Sequence, residues 1–425
     1  MSSLAGRRAA AAAAVAAVIA VNVALVGLAG ARSGRTAPPP TPVPPGGRLS
    51  PFPSSLETPR DPVAIPVVDA RAALLADLDD GTVLFDEAST TPRPIASLTK
   101  IMTALLVLSR TSLDDVVRVD PAAVFAPRDF GGSSVLGLRA GERIAVRDLL
   151  YALLLGSAND AAEALAIHVS GSVGGFVEVM NRRARALGMR DTTFASPHGL
   201  DDRGRSTAAD LLLLLRAAHA DPRFERIVGT RFRTIASPRG RPRRIQNRNA
   251  MLWLYDGAIG TKTGLTVGAG PCLAVVAERD GRRLVAIVLG ADGEAFSPAA
   301  SLLNHGFDGF EETVVVRAGE SLGDVDLLGG RVSVIADAEL TAMVPSELAD
   351  DVRRTIRVAP GTAFPPATGD RVGRLVISVP GSRLGTVGLA VASVPAPAPA
   401  AGPWWLRGLE ALAGAAAEAV GTVGG

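Results

Sequence analysis

The sequence predicts a mixed α/β domain whose sheet is assembled from distant parts of the chain, followed by a small β domain. Three observations carry this. Apolar runs with hairpin signals lie near residue 80 and again near residue 280. Between them the apolar residues recur at helical spacing. After residue 311 that periodicity fades, and short Val, Ile and Leu runs alternate with Gly and Pro.

Taken in chain order, residues 1–31 read as an export signal. Arg7 and Arg8 precede a nearly unbroken apolar run from 9 to 31, and Ala29-Gly30-Ala31 fits a small-x-small cleavage site. The run is long enough to span a bilayer, so the segment is either cleaved or kept as an anchor. In both cases the body of the chain lies outside the cytoplasm. No cysteine follows the run, so no lipoprotein anchor is indicated. Residues 32–63, with "TAPPPTPVPPGG", read as an extended linker.

Residues 64–310 form the main α/β domain. "ARAALLADLDDGTVLFDE" places two apolar runs around Asp79-Asp80-Gly81, a hairpin signal. "SLTKIMTALLVLSR" is helical, with Ile101, Leu105 and Leu108 on one face. "VRDLLYALLLGSANDAAEALAIHVSG" reads as two helices broken at Gly156-Ser157, and "GFVEVMNRRARALGM" and "TAADLLLLLRAAHA" as two more. "PCLAVVAERDGRRLVAIVLGA" is a hairpin turning at Asp280-Gly281. Such an order suits a sheet whose first and last strands are far apart in sequence.

Residues 311–395 read as a β-rich domain that serves as a spacer or binding module; its strand-like runs include "ETVVVRAGE", "GRVSVIADA", "RTIRVAP" and "GRLVISVPGSRLGTVGLAVASV". Residues 396–425 hold a second linker and a tail in which Trp405, Leu409, Leu412, Ala416 and Val420 share a helical stripe. Arg407, Glu410 and Glu418 interrupt it, which suits an interfacial helix or a frayed tail better than a membrane span.

Composition narrows the function. A chain of 425 residues suggests two or three domains, and a net charge of +2 gives no sign of a nucleic-acid partner. The single cysteine, Cys272, cannot form an internal disulfide and sits in an apolar strand, as a core residue does. No pair of His or Cys has metal-ligand spacing, and no cofactor is implied.

Lysine usage is the sharpest compositional signal. Of 44 basic residues, two are lysine, Lys100 and Lys262. Arginine stays protonated in proteins, whereas a lysine amine loses its proton when burial or a neighbouring cation lowers its pKa. A chain that writes positive charge as arginine keeps lysine where it needs a proton acceptor or a compact ammonium.

Both lysines fall in chemistry-bearing stretches. In Ser97-Leu98-Thr99-Lys100 the i, i+3 spacing at a helix start brings hydroxyl and amine together. A serine needs a base to become a nucleophile, and a neutral lysine can be that base. Ser157-Ala158-Asn159 puts a hydroxyl and a carboxamide on a short break between apolar helices, where polar residues also serve simply as caps. Lys262-Thr263-Gly264 precedes an apolar strand, and a cation, a hydroxyl and a glycine on an edge strand suit an extended substrate with a carboxylate. S-x-x-K alone is weak. The three in this order are not, because two lysines placed at random among 44 basic positions would land on this pair about once in a thousand.

With those motifs in view, the chain resembles the low-molecular-mass penicillin-binding proteins, specifically the D-alanyl-D-alanine carboxypeptidases. The resemblance covers most of residues 64–310: "PIASLTKIMTALL", "GGSSVLGLRAGERIAVRDLLYALLLGSANDAAEALA", "FASPHGLDDRGRSTAADL", "QNRNAMLW" and "GTKTG" match that family's stretches in its order. It implies a DD-peptidase/β-lactamase-like sandwich, an antiparallel sheet flanked by helices, plus a small all-β C-terminal domain. The activity implied is removal of terminal D-alanine from peptidoglycan stem peptides ending in D-Ala-D-Ala, with β-lactams as covalent inhibitors.

Site roles are carried over from the same resemblance. Ser97 is acylated, Lys100 is its base, Ser157 relays protons to the leaving amine, and Asn159 positions Lys100 and the substrate amide. Lys262 and Thr263 meet the substrate carboxylate, Gly264 gives it room, and backbone N–H groups of Ser97 and Leu265 form the oxyanion hole. Leu265 stands where the family often has a polar residue, but only its backbone is needed. Arg248, in "NRN", matches a carboxylate-binding arginine, and on its own is also readable as a surface arginine. His198 with Asp201 invites a Ser-His-Asp reading, but "PHGLD" is better suited to shaping a loop. The alternatives are a β-lactamase, for which the E-x-x-L-N segment of class A enzymes is missing, a DD-endopeptidase or transpeptidase, and a non-catalytic peptidoglycan-binding protein.

Overall fold

The computed structural model describes residues 65–125, 134–237, 240, 242–362, 364–380 and 382–394, together with 53 and 55–58. The expected export signal, most of the first linker and the terminal tail lie outside the described residues. Among the described residues no helix is long and apolar enough to cross a membrane. They fall into two compact units that part between Gly309 and Phe310.

In the first unit, β1 (Ala70–Asp77) and β2 (Val83–Glu87) form the expected hairpin. Two short ribbons follow, β3 (Val116–Arg118) with β4 (Arg143–Ala145) and β5 (Phe232–Ile235) with β6 (Arg243–Gln246). Then come β7 (Ala258–Thr266), β8 (Gly270–Arg279) and β9 (Arg282–Ala291). The sheet runs β2-β1-β9-β8-β7 with antiparallel neighbours throughout, so its first and last strands do meet. The β8–β9 turn has φ of 51° at Asp280 and 80° at Gly281. Positive φ at both central residues is what a tight hairpin of native twist requires.

Both faces of this sheet are covered, and its side chains sort with a period of two. Leu74, Ala274, Val276, Val285 and Ile287 join one buried cluster, and Leu75, Leu273, Val275, Ala286 and Val288 join the other. The larger cluster holds most of the helices: α1 (Lys100–Arg110), α2 (Val146–Leu154), α3 (Asn159–Ser170), α4 (Val173–Ala186), α5 (Ala208–His219) and α6 (Pro222–Val228). A single turn, α7 (Met251–Leu254), precedes β7, and α8 (Phe296–Asp308) covers the opposite face. Cys272 is a core residue, and burial pushes its thiol up to about 12.

The helix expected at α1 is present with Ile101, Leu105 and Leu108 buried, and burial extends to every residue from Lys100 to Leu108 because the helix lies inside the larger cluster. α8 was not foreseen. Its Gly306 breaks the helical pattern, yet a Cβ there would stand 2.6 Å from Leu284 Cδ1 and 2.8 Å from Leu75 Cδ2. The helix lies so close to the sheet that glycine is what fits.

The second unit is all β. It contains β10 (Phe310–Val316), β11 (Ser321–Leu327), β12 (Gly330–Ala336), β13 (Leu340–Pro345), β14 (Arg353–Val358), β15 (Arg371–Val379) and β16 (Ser382–Ser393). A five-stranded sheet, β11-β12-β16-β15-β14, and the β10–β13 pair enclose a core that includes Val332, Val334, Ile377 and Leu389. Strands β11 and β13, with few apolar residues on their exposed faces, were not anticipated.

Candidate active site

Ser97 lies in a 3-10 turn, Ala96–Thr99, that runs straight into α1. The residue before it, Ala96, has φ of 48°, a left-handed conformation that costs a non-glycine residue about 1–2 kcal/mol. Two glycines press on this turn. A Cβ at Gly264 of β7 would lie 3.1 Å from Ala96 Cβ, Ile95 O and Ser97 N. A Cβ at Gly199 would stand 2.6 Å from Ala96 C and 2.7 Å from Thr99 Oγ1. The turn is thus wedged between an edge strand and the 196–200 loop.

Lys100, the first residue of α1, has no measurable exposure. Its Nζ is 2.7 Å from Asn159 Oδ1, 2.7 Å from the His198 carbonyl oxygen and 2.9 Å from Ser97 Oγ. Asn159 Oδ1 and His198 O can only accept. A neutral amine has two N–H bonds, and these two oxygens take both. The remaining lone pair then faces the Ser97 hydroxyl, which can donate. Burial, with Lys262 and Arg248 nearby, holds Lys100 well below the ordinary lysine range, while the Asp160 carboxylate pulls the other way.

Asn159 opens α3, two residues after Ser157. Ser157 is buried and has φ of 59°, so two of the four non-glycine residues with positive φ among the described residues stand at this site. The break between α2 and α3 is closed by Ala158 N donating to Ala152 O (3.0 Å) and Asn159 N donating to Ser134 O (2.8 Å). Arg248 is brought here because its N–H donates to Leu155 O, 3.2 Å away. Its flanking asparagines are buried: Asn247 Nδ2 donates to Val228 O and Thr230 O. Burial lowers the pKa of Arg248 and, with Arg248 beside it, that of Lys262.

Lys262 lies on β7, which is an edge strand as the sequence suggested, and its Nζ donates to Thr263 O at 2.8 Å. Lys262 and Gly264 are buried, whereas Thr263 and Leu265 alternate with them and are half-buried. The nine residues picked from sequence therefore sit on the 3-10 turn, α1, the α2–α3 break, the segment after β6, and β7. Those segments meet around Lys100 and the face of Ser97.

Sequence reasoning passed over two contributors. Asp160 is 1% exposed, and its carboxylate accepts from the N–H groups of Leu136 (2.8 Å), Gly137 (2.8 Å), Leu138 (3.0 Å) and Ala161 (2.9 Å). It ties the 134–138 segment to the start of α3. A carboxylate directly after Asn159 at the head of an alanine-rich helix was the available signal. His198 was read as shaping a loop, and its carbonyl in fact meets Lys100. Asp201 pairs with Arg203 (Nε to Oδ1, 2.9 Å), so the two form no catalytic diad. Among the described residues no group of three or more His, Cys, Asp or Glu could hold a metal ion.

Comparison with known proteins agrees with this geometry. A family model described as D-alanyl-D-alanine carboxypeptidase matches residues 59–293. The chain is 29% identical over 331 residues to D-alanyl-D-alanine carboxypeptidase DacF of Bacillus subtilis, covering 74% of this chain and 83% of that one. It is 37% identical over 257 residues to DacB2 of Mycobacterium tuberculosis, covering 59% and 86%. The crystal structure of penicillin binding protein 6B from Escherichia coli superposes with a TM-score of 0.60 at 30% identity, over 79% of this chain and 99% of that one. With motifs, fold and relatives in agreement, this chain belongs to the D-alanyl-D-alanine carboxypeptidase family of serine peptidases.

Proposed function

We propose that Ser97 is the nucleophile through which this serine-type D-alanyl-D-alanine carboxypeptidase trims terminal D-alanine from peptidoglycan stem peptides. The observation that carries the reading is the setting of the Lys100 amine: it lies within hydrogen-bond distance of Ser97 Oγ and of two obligate acceptors, which in the neutral amine take both N–H bonds and leave the lone pair to Ser97.

In the acylation step Lys100 Nζ takes the hydroxyl proton as Ser97 Oγ bonds to the carbonyl carbon of the penultimate D-alanine. Negative charge gathers on the carbonyl oxygen and is met by the N–H groups of Ser97 and Leu265. Donors of this kind contribute about 3–4 kcal/mol each. The peptide C–N bond then breaks, Ser157 gives its hydroxyl proton to the leaving amine and takes the proton held by Lys100 in its place, and D-alanine departs with Lys100 neutral again. Asn159 holds Lys100 and the substrate amide. Lys262, Thr263 and Arg248 hold the terminal carboxylate, and Gly264 leaves room for the peptide along β7. A water deprotonated by Lys100 releases the acyl group, and no cofactor enters the scheme. A β-lactam opened by the same serine gives a covalent adduct.

Residues 64–310 perform this chemistry and 311–395 act as spacer or binding module. The enzyme works at the outer face of the cytoplasmic membrane, delivered by residues 1–31 and associated with the bilayer through one or both termini.

Release of D-alanine from a synthetic peptide ending in D-Ala-D-Ala, compared with Ser97→Ala, tests the reading. Release that disappears in the variant supports it. Cleavage of a cross-linked dimer with no free D-alanine would replace it by an endopeptidase. Turnover of penicillin without a lasting adduct would replace it by a β-lactamase.

A further inference from the structure

The His198 carbonyl is one of the two acceptors that aim Lys100, and a loop carbonyl stays in place only if its own residue is held. Besides Lys100, five contacts fix the 196–200 loop. Thr103 Oγ1 of α1 donates to Pro197 O at 2.6 Å. Gly199 N donates to Ser196 Oγ at 2.9 Å, and that hydroxyl lies 3.3 Å from His198 Nδ1. Leu200 N donates to His198 Nδ1 at 3.1 Å, and His198 Nε2 lies 3.3 Å from Glu163 Oε1. Because Nδ1 accepts from Leu200, the ring proton sits on Nε2 and points at the Glu163 carboxylate.

Glu163 lies one helical turn beyond Asn159 on α3. We propose that Glu163 is a positioning residue for acylation: through the His198 ring it fixes the carbonyl that, with Asn159, directs the Lys100 lone pair at Ser97. One helix then controls both acceptors, directly through Asn159 and at one remove through Glu163. The proposal rests on Lys100 being the base for Ser97.

The arrangement carries a pH dependence. The titratable groups facing the imidazole are Glu163 from α3, Lys100 from α1 and Asp201 from its own loop. Burial keeps the ring below its ordinary pKa, and Glu163 opposes that. Protonating Nδ1 would set its N–H against the N–H of Leu200. The turn would have to open and carry the His198 carbonyl off Lys100.

The test uses the full chain with benzylpenicillin, comparing wild type, Glu163→Ala and Glu163→Gln, with acylation rates expressed per acylable site. Glu163→Ala leaves Nε2–H unpartnered and is expected to slow acylation about tenfold at neutral pH, the effect of about 1.4 kcal/mol on the barrier. Glu163→Gln keeps an acceptor and should recover the rate to within about threefold. Removing the carboxylate charge should also move the acid limb of its pH profile, and the His198 titration followed by NMR, to lower pH. Wild-type rates per site and an unmoved acid limb in both variants would overturn the proposal. So would a lower melting temperature with normal rates per site, since that is a structural role alone. A wild-type chain that is not acylated at Ser97 would instead sink the base assignment on which the proposal stands.

Discussion

Replacing Gly199 by alanine should slow acylation about a hundredfold, while the matched change at Gly171 leaves it untouched. Both glycines have left-handed φ, 80° and 73°, so both substitutions carry the same backbone strain of about 1–2 kcal/mol. They differ in what the new methyl meets. At Gly171, the residue that ends α3, nothing lies within 4 Å. At Gly199 the methyl runs into the Ala96 carbonyl and stands 2.6 Å from Ala96 C, where ordinary contacts begin near 3.4 Å. The shortfall is about 0.8 Å at that carbon and larger at the Ala96 carbonyl oxygen, and it falls on main-chain atoms of the nucleophile turn, which cannot rotate away. A displacement of that order at the reacting atom costs about 10²-fold in rate. Stopped-flow acylation by benzylpenicillin gives the rate, and thermal melting gives the shared strain, about 2–4 °C per kcal/mol in a domain of this size. Gly199→Ala acylating within threefold of Gly171→Ala would refute the reasoning, because the wedge on Ala96 would then play no part in placing Ser97.

The pH profile gives a second prediction. Acylation needs neutral Lys100, and burial, Lys262 and Arg248 favour the neutral amine, so the rate should rise with pH through a value well below the ordinary lysine range. Arg248→Gln removes one of those cations and should shift that limb to higher pH, read from acylation rates across pH. Asp160→Ala strips the acceptor from three N–H groups of the 134–138 segment, each worth about 1–3 kcal/mol if left unmet. With water replacing part of that loss the net cost should be about 3 kcal/mol, a fall of about 6–12 °C in a circular-dichroism melt. Ending the chain at Gly309, where the two compact units part, should leave acylation within about threefold of the full chain.

Much of the site was legible because its residues carry chemistry that ordinary packing does not call for. Two lysines among 44 basic residues are conspicuous, and both prove to be nearly fully buried. The β1–β2 and β8–β9 hairpins were legible because Asp-Gly turn chemistry is local. What escaped was set by tertiary contact. α8 was hidden by residues such as Gly306, chosen for closeness to the sheet and not for helix propensity. The complete burial of α1 was not legible because its polar residues include Lys100 and Thr103, whose partners come from distant loops. Asp160 was passed over because its three partners in the 134–138 segment lie more than twenty residues upstream. The His198 carbonyl could not have been found in sequence, since every residue has one.

The claim that Ser97 is the acylated nucleophile is tested most directly by intact-mass measurement over time after adding benzylpenicillin, beside Ser97→Ala. The account predicts one persistent adduct of the mass of penicillin on the wild-type chain and none on the variant. An adduct that survives in Ser97→Ala, or a wild-type chain that gains no mass at all, would contradict it.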